Sequence, residues 1–367
     1  MKSPARACAT CVLPLLVLGA AAQAAPGYRA VTVATGLEHP WGMAFLPDGR
    51  ILVSERPGRL RIVSREGAIS PPLAGLPSIA AIGQGGLLDV ALHPEFAANR
   101  LVYFSFAEPG PGGAGTAAAR GRLAGNALQD VQVIFRQRPK LAGGLHFGAR
   151  LAFARDGTLF LSMGDRGRME RAQERSNHLG TIVRIRDDGS IPADNPFVDT
   201  PGVLPEIYSW GHRNVQGMAR NPWTGEMWAH EHGPKGGDEI NILKPGANYG
   251  WPLVTFGIDY DGSIISEKTE APGIEPPLLH WTPSIAPSGM AFYDGRKFPA
   301  WRSDLFVGAL KFRHLRRIDL EGGRVVGQEE LLGELGERIR DVRQGPEGNL
   351  WVLTDSPRGR VIRIEPR

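Results

Sequence analysis

Residues 341–364 read DVRQGPEGNLWVLTDSPRGRVIRI, and this stretch decides the fold. A short strand at Asp341 runs into Pro346-Glu347-Gly348-Asn349, a turn in which glycine supplies the positive φ that most residues avoid. Leu350-Trp351-Val352-Leu353 follows as a second strand, and Arg360-Val361-Ile362-Arg363-Ile364 as a third, after another glycine turn. The same unit of strand, turn, strand, glycine turn, strand occurs elsewhere. It begins at Trp41–Val63, where Asp48-Gly49 makes the turn, since Asp-Gly suits tight hairpins. It returns at Gly86–Phe106 with Pro94-Glu95, and at Arg150–Asp165 with Asp156-Gly157 and Leu179–Ile185 as the next strand. Further copies are Gln216–Leu243, with Pro222-Trp223-Thr224-Gly225, and Ser288–Ile318, with a looser turn near Lys297–Asp304.

Six copies of about 40–60 residues, each able to form a four-stranded antiparallel sheet, describe an all-β, six-bladed β-propeller. A β-sandwich offers similar strands without that sixfold repetition. No amphipathic helix of three turns is expected. The glycine-rich Gly110–Gly115 reads as a flexible loop, because no strand-to-helix context makes it a phosphate cradle.

The 367 residues are 42% hydrophobic and 22% charged, as in a globular protein, and 48 glycines with 30 prolines suit a turn-rich chain. A net charge of +4 lacks the clustered basic face of a nucleic-acid binder and fits an anionic small ligand better. Lys2 and Arg6, the apolar run Cys11–Ala22 and the small-residue site Ala22-Gln23-Ala24 form a secretory signal peptide over residues 1–24. That leaves 25–367 as one propeller domain, secreted or periplasmic, with no membrane span expected. Cys8 and Cys11 are the only cysteines, so the mature chain would use neither disulfides nor thiolate chemistry.

The chemistry concentrates at Ser209–Trp251, SWGHRNVQGMARNPWTGEMWAHEHGPKGGDEINILKPGANYGW. Outside it, His146 sits in a glycine loop directly before an innermost strand. A neutral imidazole is suited to accept a proton near neutral pH, and Asp165, at the end of the next strand, is a carboxylate able to orient it. Arg213-Asn214, Lys311, Arg338 and Arg340 stand at the ends of inner-strand segments in different blades. Each alone is a solvated or salt-bridged side chain; together the four cations make an anion pocket on the axis, suited to a ligand with several carboxylates. The His232-Gly233-Pro234 kink, followed by Asp238 and Glu239, is oxygen-rich and suits Ca²⁺. Zinc through His230 and His232 is the weaker reading, as no HExxH helix is present. No GxSxG or P-loop occurs.

GQGGLLDVALHPEF (83–96), LHFGARL, GHRNVQGMA (211–219), EHGPKGGDEIN (231–241), NYGWP (248–252), LKFRHL and RIRDV resemble the soluble pyrroloquinoline-quinone (PQQ) dependent glucose/sorbosone dehydrogenases, most closely the periplasmic aldose sugar dehydrogenases. The resemblance covers nearly the whole mature chain and implies a six-bladed propeller that oxidises aldoses at the anomeric carbon to lactones. It implies His146 as general base, and Gln84, Arg213, Asn214, Lys311, Arg338 and Arg340 as holders of PQQ, with Tyr260 lining the pocket. Arg213 is the cation that would stabilise charge developing on the quinone. The carbonyls of Gly233 and Pro234 match ligands of an activating Ca²⁺, and Glu239 with the Tyr249 carbonyl matches a further calcium site. Electrons would pass to an external quinone or cytochrome. Two departures stand out: Leu145 replaces an aspartate before the histidine, and His232 replaces a glutamine before Gly-Pro. From the bare residues, a calcium-dependent lactonase or a non-catalytic sugar- or protein-binding propeller are the alternatives. The first needs a carboxylate-rich central metal site, and the second leaves His146 and the cations without a purpose.

Overall fold

A computed structural model describes Met1 and residues 27–367. The expected signal peptide, with Cys8 and Cys11, otherwise lies outside the described residues. Six antiparallel sheets follow one another along the chain, five with four strands and one with three. Their innermost strands are Pro40–Phe45, Leu87–Leu92, Leu151–Phe153, Val215–Arg220, Pro287–Phe292 and Ile339–Gln344. Each inner strand packs on the next, and the last packs on the first, so the ring closes.

The closure is also made by backbone hydrogen bonds between strands from the two ends of the propeller. Tyr28–Leu37 forms the outer strand of the sixth blade, paired antiparallel with Gly359–Pro366 from Tyr28↔Pro366 to Leu37↔Gly359. Both ends of the propeller thus lie in one sheet, and opening the ring would require breaking that ladder.

The hydrophobic core is divided among the blade interfaces. Leu52 and Leu60 meet Val90 and Phe104 between blades one and two, and Tyr103 meets Leu161 and Val183 between two and three. Corresponding clusters fill the other four interfaces. This is why second strands such as Ile51–Glu55, Leu305–Ala309 and Leu350–Thr354 are buried at every position: both their faces meet a neighbouring sheet. The outer strand Arg324–Leu331 instead alternates exposed and half-buried residues, as expected with one face in water.

The axis is filled by polar side chains. Arg150 Nη1 lies 2.9 Å from Asp89 Oδ1 and 3.1 Å from Asp341 Oδ1, and Arg343 bridges the same carboxylates at 3.0 and 3.1 Å. The Arg150 guanidinium stacks 4.4 Å over Trp41. These groups leave no room for side chains at facing positions: a Cβ on Gly289 would fall 2.2 Å from Asp341 Oδ1, and one on Gly217 would overlap the His230 ring.

Two expectations need correction. Gly110–Gly115 is not a loop: Leu101–Gly110 and Gly113–Ala124 form a long hairpin, closed at Gly110↔Gly113, with positive φ at Gly112 and Gly113. The glycines supply the turn, and the buried Ala117-Ala118-Ala119 run carries the strand behind it. The first blade has three strands, extended only by a single bridge, Val63↔Ile69. Among the described residues the only α-helix is Phe96–Asn99, and no helix is long and apolar enough to cross a membrane.

Candidate active site

In an antiparallel hairpin, the start of one strand and the end of its partner lie at the same edge. Gln84, His146, Arg213-Asn214 and Arg338 precede inner strands, while Asp165, His232-Gly233, Lys311 and Asp355 follow second strands. All of them therefore face one end of the propeller.

His146 is buried in a left-handed backbone conformation, φ 51°. Its backbone N–H donates to Gln84 Oε1 at 3.0 Å, and its Nδ1 lies 2.6 Å from Asp165 Oδ1. That carboxylate also accepts from the Gly167 amide at 2.7 Å and from Trp251 Nε1 at 2.9 Å. Burial alone would raise the Asp165 carboxyl. The hydrogen bond and charge of His146, the Gly167 amide and the Arg213 charge outweigh it and hold the group below its usual range. An ionised Asp165 assigns the imidazole proton to Nδ1 and leaves the Nε2 lone pair available as a proton acceptor.

Arg166, which the sequence reading passed over, holds the loop in place. Its guanidinium donates to the carbonyls of Leu145, Gly143 and Ala114 and stacks 3.8 Å over Phe147. Burial brings it down to about 10. Leu145 itself points outward, 53% exposed at the mouth.

The cations are brought together unequally. Arg340 is buried, donating to Gln216 Oε1 at 2.8 Å and to Asp355 Oδ2 at 2.9 Å. Arg338 reaches the same oxygen at 3.2 Å, and His39 Nδ1 meets Oδ1 at 2.8 Å. Asp355 is thus shared by two arginines and a histidine. Against the opposing effect of burial, the charge of Arg340, with His39 and Arg338, keeps it well below the usual carboxylate range. Lys311 is exposed and, among the described residues, has no carboxylate partner. Arg213 lies 5.4 Å from the Trp251 ring and 5.9 Å from the Tyr260 ring, and Tyr260 is 68% exposed. Asn214 accepts from the Gly148 amide at 3.1 Å, while its buried Nδ2 has no partner among the described residues.

The oxygen-rich loop folds back on itself. Asp238 accepts from the amides of Gly233 and Ala286 at 2.9 and 2.8 Å, and burial pushes its carboxyl up to about 6. The Gly233 carbonyl accepts from Arg213 Nη1 at 2.7 Å, and that of Pro234 from Ser284 Oγ at 3.2 Å. A Cβ on Gly233 would stand 2.2–2.3 Å from the carbonyl oxygens of Gly237 and Gly236. Gly233, Glu239 and Tyr249 line one small cavity together with Glu231, Arg213 and Trp251; Pro234 is outside it. Burial, reinforced by the neighbouring Glu231 charge, raises the Glu239 carboxyl well above its usual range. Asn241 Oδ1 nearby is buried and unpartnered.

Ser209 Oγ, His212 and Glu231 are linked at 2.9 and 2.8 Å in the donor order of a hydrolase triad. Ser209 is wholly buried, so the chain serves to orient Glu231, which also accepts from the Arg213 amide. His230 is buried without a partner at either nitrogen, and burial, with the charges of His232 and Arg150, keeps it neutral. Burial likewise brings His232 down to about 3, and its Nε2 faces the Pro287 carbonyl. Among the described residues, no three His, Cys, Asp or Glu side chains cluster as a metal site, so the zinc reading gains no support.

A family model described as glucose/sorbosone dehydrogenase matches residues 37–363. The aldose sugar dehydrogenase YliI of Escherichia coli (strain K12) is 47% identical over 97% of this chain and 98% of its own length. The crystal structure of the soluble aldose sugar dehydrogenase from Escherichia coli, in its apo-form, superposes with a TM-score of 0.91 at 45% identity, covering 93% of this chain and all of that one. The PQQ-bound form of the aldose sugar dehydrogenase from Streptomyces coelicolor gives a TM-score of 0.76 at 31% identity, again over 93% of this chain and all of that one.

Proposed function

The chain belongs to the glucose/sorbosone dehydrogenase family, and on that premise we propose that it oxidises aldoses at the anomeric carbon to lactones, using PQQ and Ca²⁺. The observation that carries the reading is the Asp165–His146 pair at 2.6 Å, held at the propeller mouth beside a surplus of cations.

The residues fit the cofactor. Arg213, Lys311, Arg338 and Arg340 face one mouth with Asp355 as the carboxylate partner of two of them, which suits a ligand bearing several carboxylates. The unpartnered Asn214 Nδ2 is a buried donor in want of an acceptor, a deficit a bound anion would remove. Gln84 would contribute by bracing the His146 amide, and Tyr260 by walling the outer edge. PQQ supplies, when bound, an electrophilic quinone that accepts a hydride from the sugar. His146 Nε2 takes the proton of the anomeric hydroxyl as that hydride leaves the same carbon, so a C–H and an O–H bond break and a lactone carbonyl forms. Asp165 keeps the imidazole in the accepting tautomer and stabilises the imidazolium. Arg213 stabilises the negative charge that accumulates opposite.

Ca²⁺ would be held by the carbonyls of Gly233 and Pro234 and would polarise the quinone oxygens. The Gly233 oxygen accepts from the Arg213 guanidinium, a contact the ion would share or displace. A second Ca²⁺ would sit with Glu239 and the Tyr249 carbonyl, where Glu239, buried beside the Glu231 charge, and the orphaned Asn241 Oδ1 would supply hard oxygen donors and the ion would relieve the like-charge pair. The electrons would leave to an external quinone or cytochrome. Residues 25–367 would form one exported, periplasmic or secreted, catalytic domain. A metal-dependent hydrolase would need open carboxylates at the centre, and Asp89 and Asp341 are both engaged by arginines there.

The test is dye reduction by the purified protein with a panel of aldoses. Turnover requiring both PQQ and Ca²⁺, and abolished by EDTA, is expected. No PQQ binding, or lactone hydrolysis in its place, would sink the reading.

A further inference from the structure

Trp251 belongs to the long connection between the third and fourth strands of blade four, yet it is buried against blade three. Three hydrogen bonds fix it. Its backbone N–H donates to the Gly211 carbonyl at 2.8 Å, and its own carbonyl accepts from Gln173 Nε2 at 2.8 Å. Its indole N–H donates to Asp165 Oδ2 at 2.9 Å. Gln173 is in turn locked to Asn248 by a reciprocal amide pair at 2.9 and 3.1 Å. The same indole faces the Arg213 guanidinium, and the Asp165 amide donates to the Arg213 carbonyl at 2.9 Å.

Without the indole, Asp165 Oδ2 would have no donor, and the carboxylate could rotate about its last side-chain bond. Oδ1 alone carries the bonds to His146 and Gly167, so that rotation would loosen both. We propose that Trp251 is a positioning residue for the dehydrogenase reaction: its N–H pins the Asp165 carboxylate so that His146 stays protonated at Nδ1 with Nε2 free to accept the substrate proton. Gln173 acts one step further out, by holding the Trp251 backbone. A connection that also carries Tyr260 to the mouth is thereby tied to the base. This rests on His146 being the base.

Trp251→Phe keeps a ring beside Arg213 and removes only the donor. In the PQQ-loaded protein kcat should fall by about tenfold, the loss of one hydrogen bond to a charged group, with KM changed far less. The independent readout is ¹⁵N-histidine NMR of the cofactor-free protein, with the His146 signal identified by its loss in His146→Gln. The unsubstituted protein should show one tautomer, protonated at Nδ1; Trp251→Phe should show a mixture. Gln173→Ala, which touches neither Asp165 nor the mouth, should move both quantities the same way by less, and stands in if Trp251→Phe does not fold. An unchanged tautomer and unchanged kcat, alongside an inactive His146→Gln, would overturn the role of Trp251 alone. Full activity in His146→Gln would overturn the base assignment, and this proposal with it.

Discussion

Two clusters of arginine and carboxylate lie on the propeller, built from the same residue types to opposite ends. In the inner one, Arg150 and Arg343 are matched by Asp89 and Asp341, two charges against two, all with side chains largely or wholly out of water. The Leu151 amide takes Asp89 Oδ2, and the Met43 amide shares Asp341 Oδ2 with Arg343 Nε; Asp341 Oδ1 meets Arg150 only as an ion pair, and among the described residues Arg150 Nη2 has no hydrogen-bond partner. At the mouth, Asp355 is the carboxylate partner of both Arg338 and Arg340, while among the described residues Lys311 has none and Arg213 Nη1 donates to carbonyls. A charge-balanced network holds blades together. A cationic, open one is unfinished until an anion arrives, and that difference marks which is scaffold and which is site.

The contrast is most easily broken at the mouth. His146→Gln should lower kcat by about 10²–10⁴-fold, the usual worth of a general base, with PQQ affinity measured by absorbance titration little changed. In the inner cluster the loss should be in stability. Arg150→Met leaves Asp89 and Asp341 under-compensated and should cost about 3–5 kcal/mol in a denaturant titration, while the folded fraction keeps its activity. Arg340→Met should act at the site as well, weakening PQQ binding by about 10–100-fold through the loss of a charge-assisted contact, and also cost stability because Asp355 loses its principal cation. Asp355 sharpens the comparison through pH. Its carboxyl is held below its unfolded value of 3.8, so its contribution is complete above that value and fades as pH falls through the lowered, folded one. Acid denaturation curves should therefore steepen below about pH 4, and Asp355→Asn should flatten that part of the curve. The smallest effect belongs to exposed Lys311. Lys311→Met should change stability by less than about 0.5 kcal/mol and show itself only as weaker cofactor binding.

The repeats made the fold legible because each blade uses the same local chemistry, a glycine turn between two short apolar strands. Six such units can bury their faces only against one another. What the pattern could not convey was the use of glycine in two senses. Gly112 and Gly113 turn a hairpin tightly, and the surrounding composition reads equally well as a loop. The pairing of His146 with Asp165 was foreseeable because both flank hairpin strands of blade three. The contribution of Trp251 was not, since 86 residues separate it from Asp165 and only the path of a long connection brings them together. Arg166 and Asp355 escaped for a related reason: each acts through backbone carbonyls or through other cations, and such partners leave no spacing to read.

The central claim is that the cationic mouth presents a polyanionic quinone to a sugar beside His146. Single-turnover spectroscopy tests it directly: the Ca²⁺-supplemented protein is loaded with one equivalent of PQQ, then mixed with an aldose without any external acceptor. The account predicts that PQQ binds, that its oxidised absorbance is replaced by that of the reduced form with lactone produced in equal amount, and that His146→Gln binds PQQ but leaves it oxidised. Failure to bind PQQ, or equal reduction in His146→Gln, would contradict it.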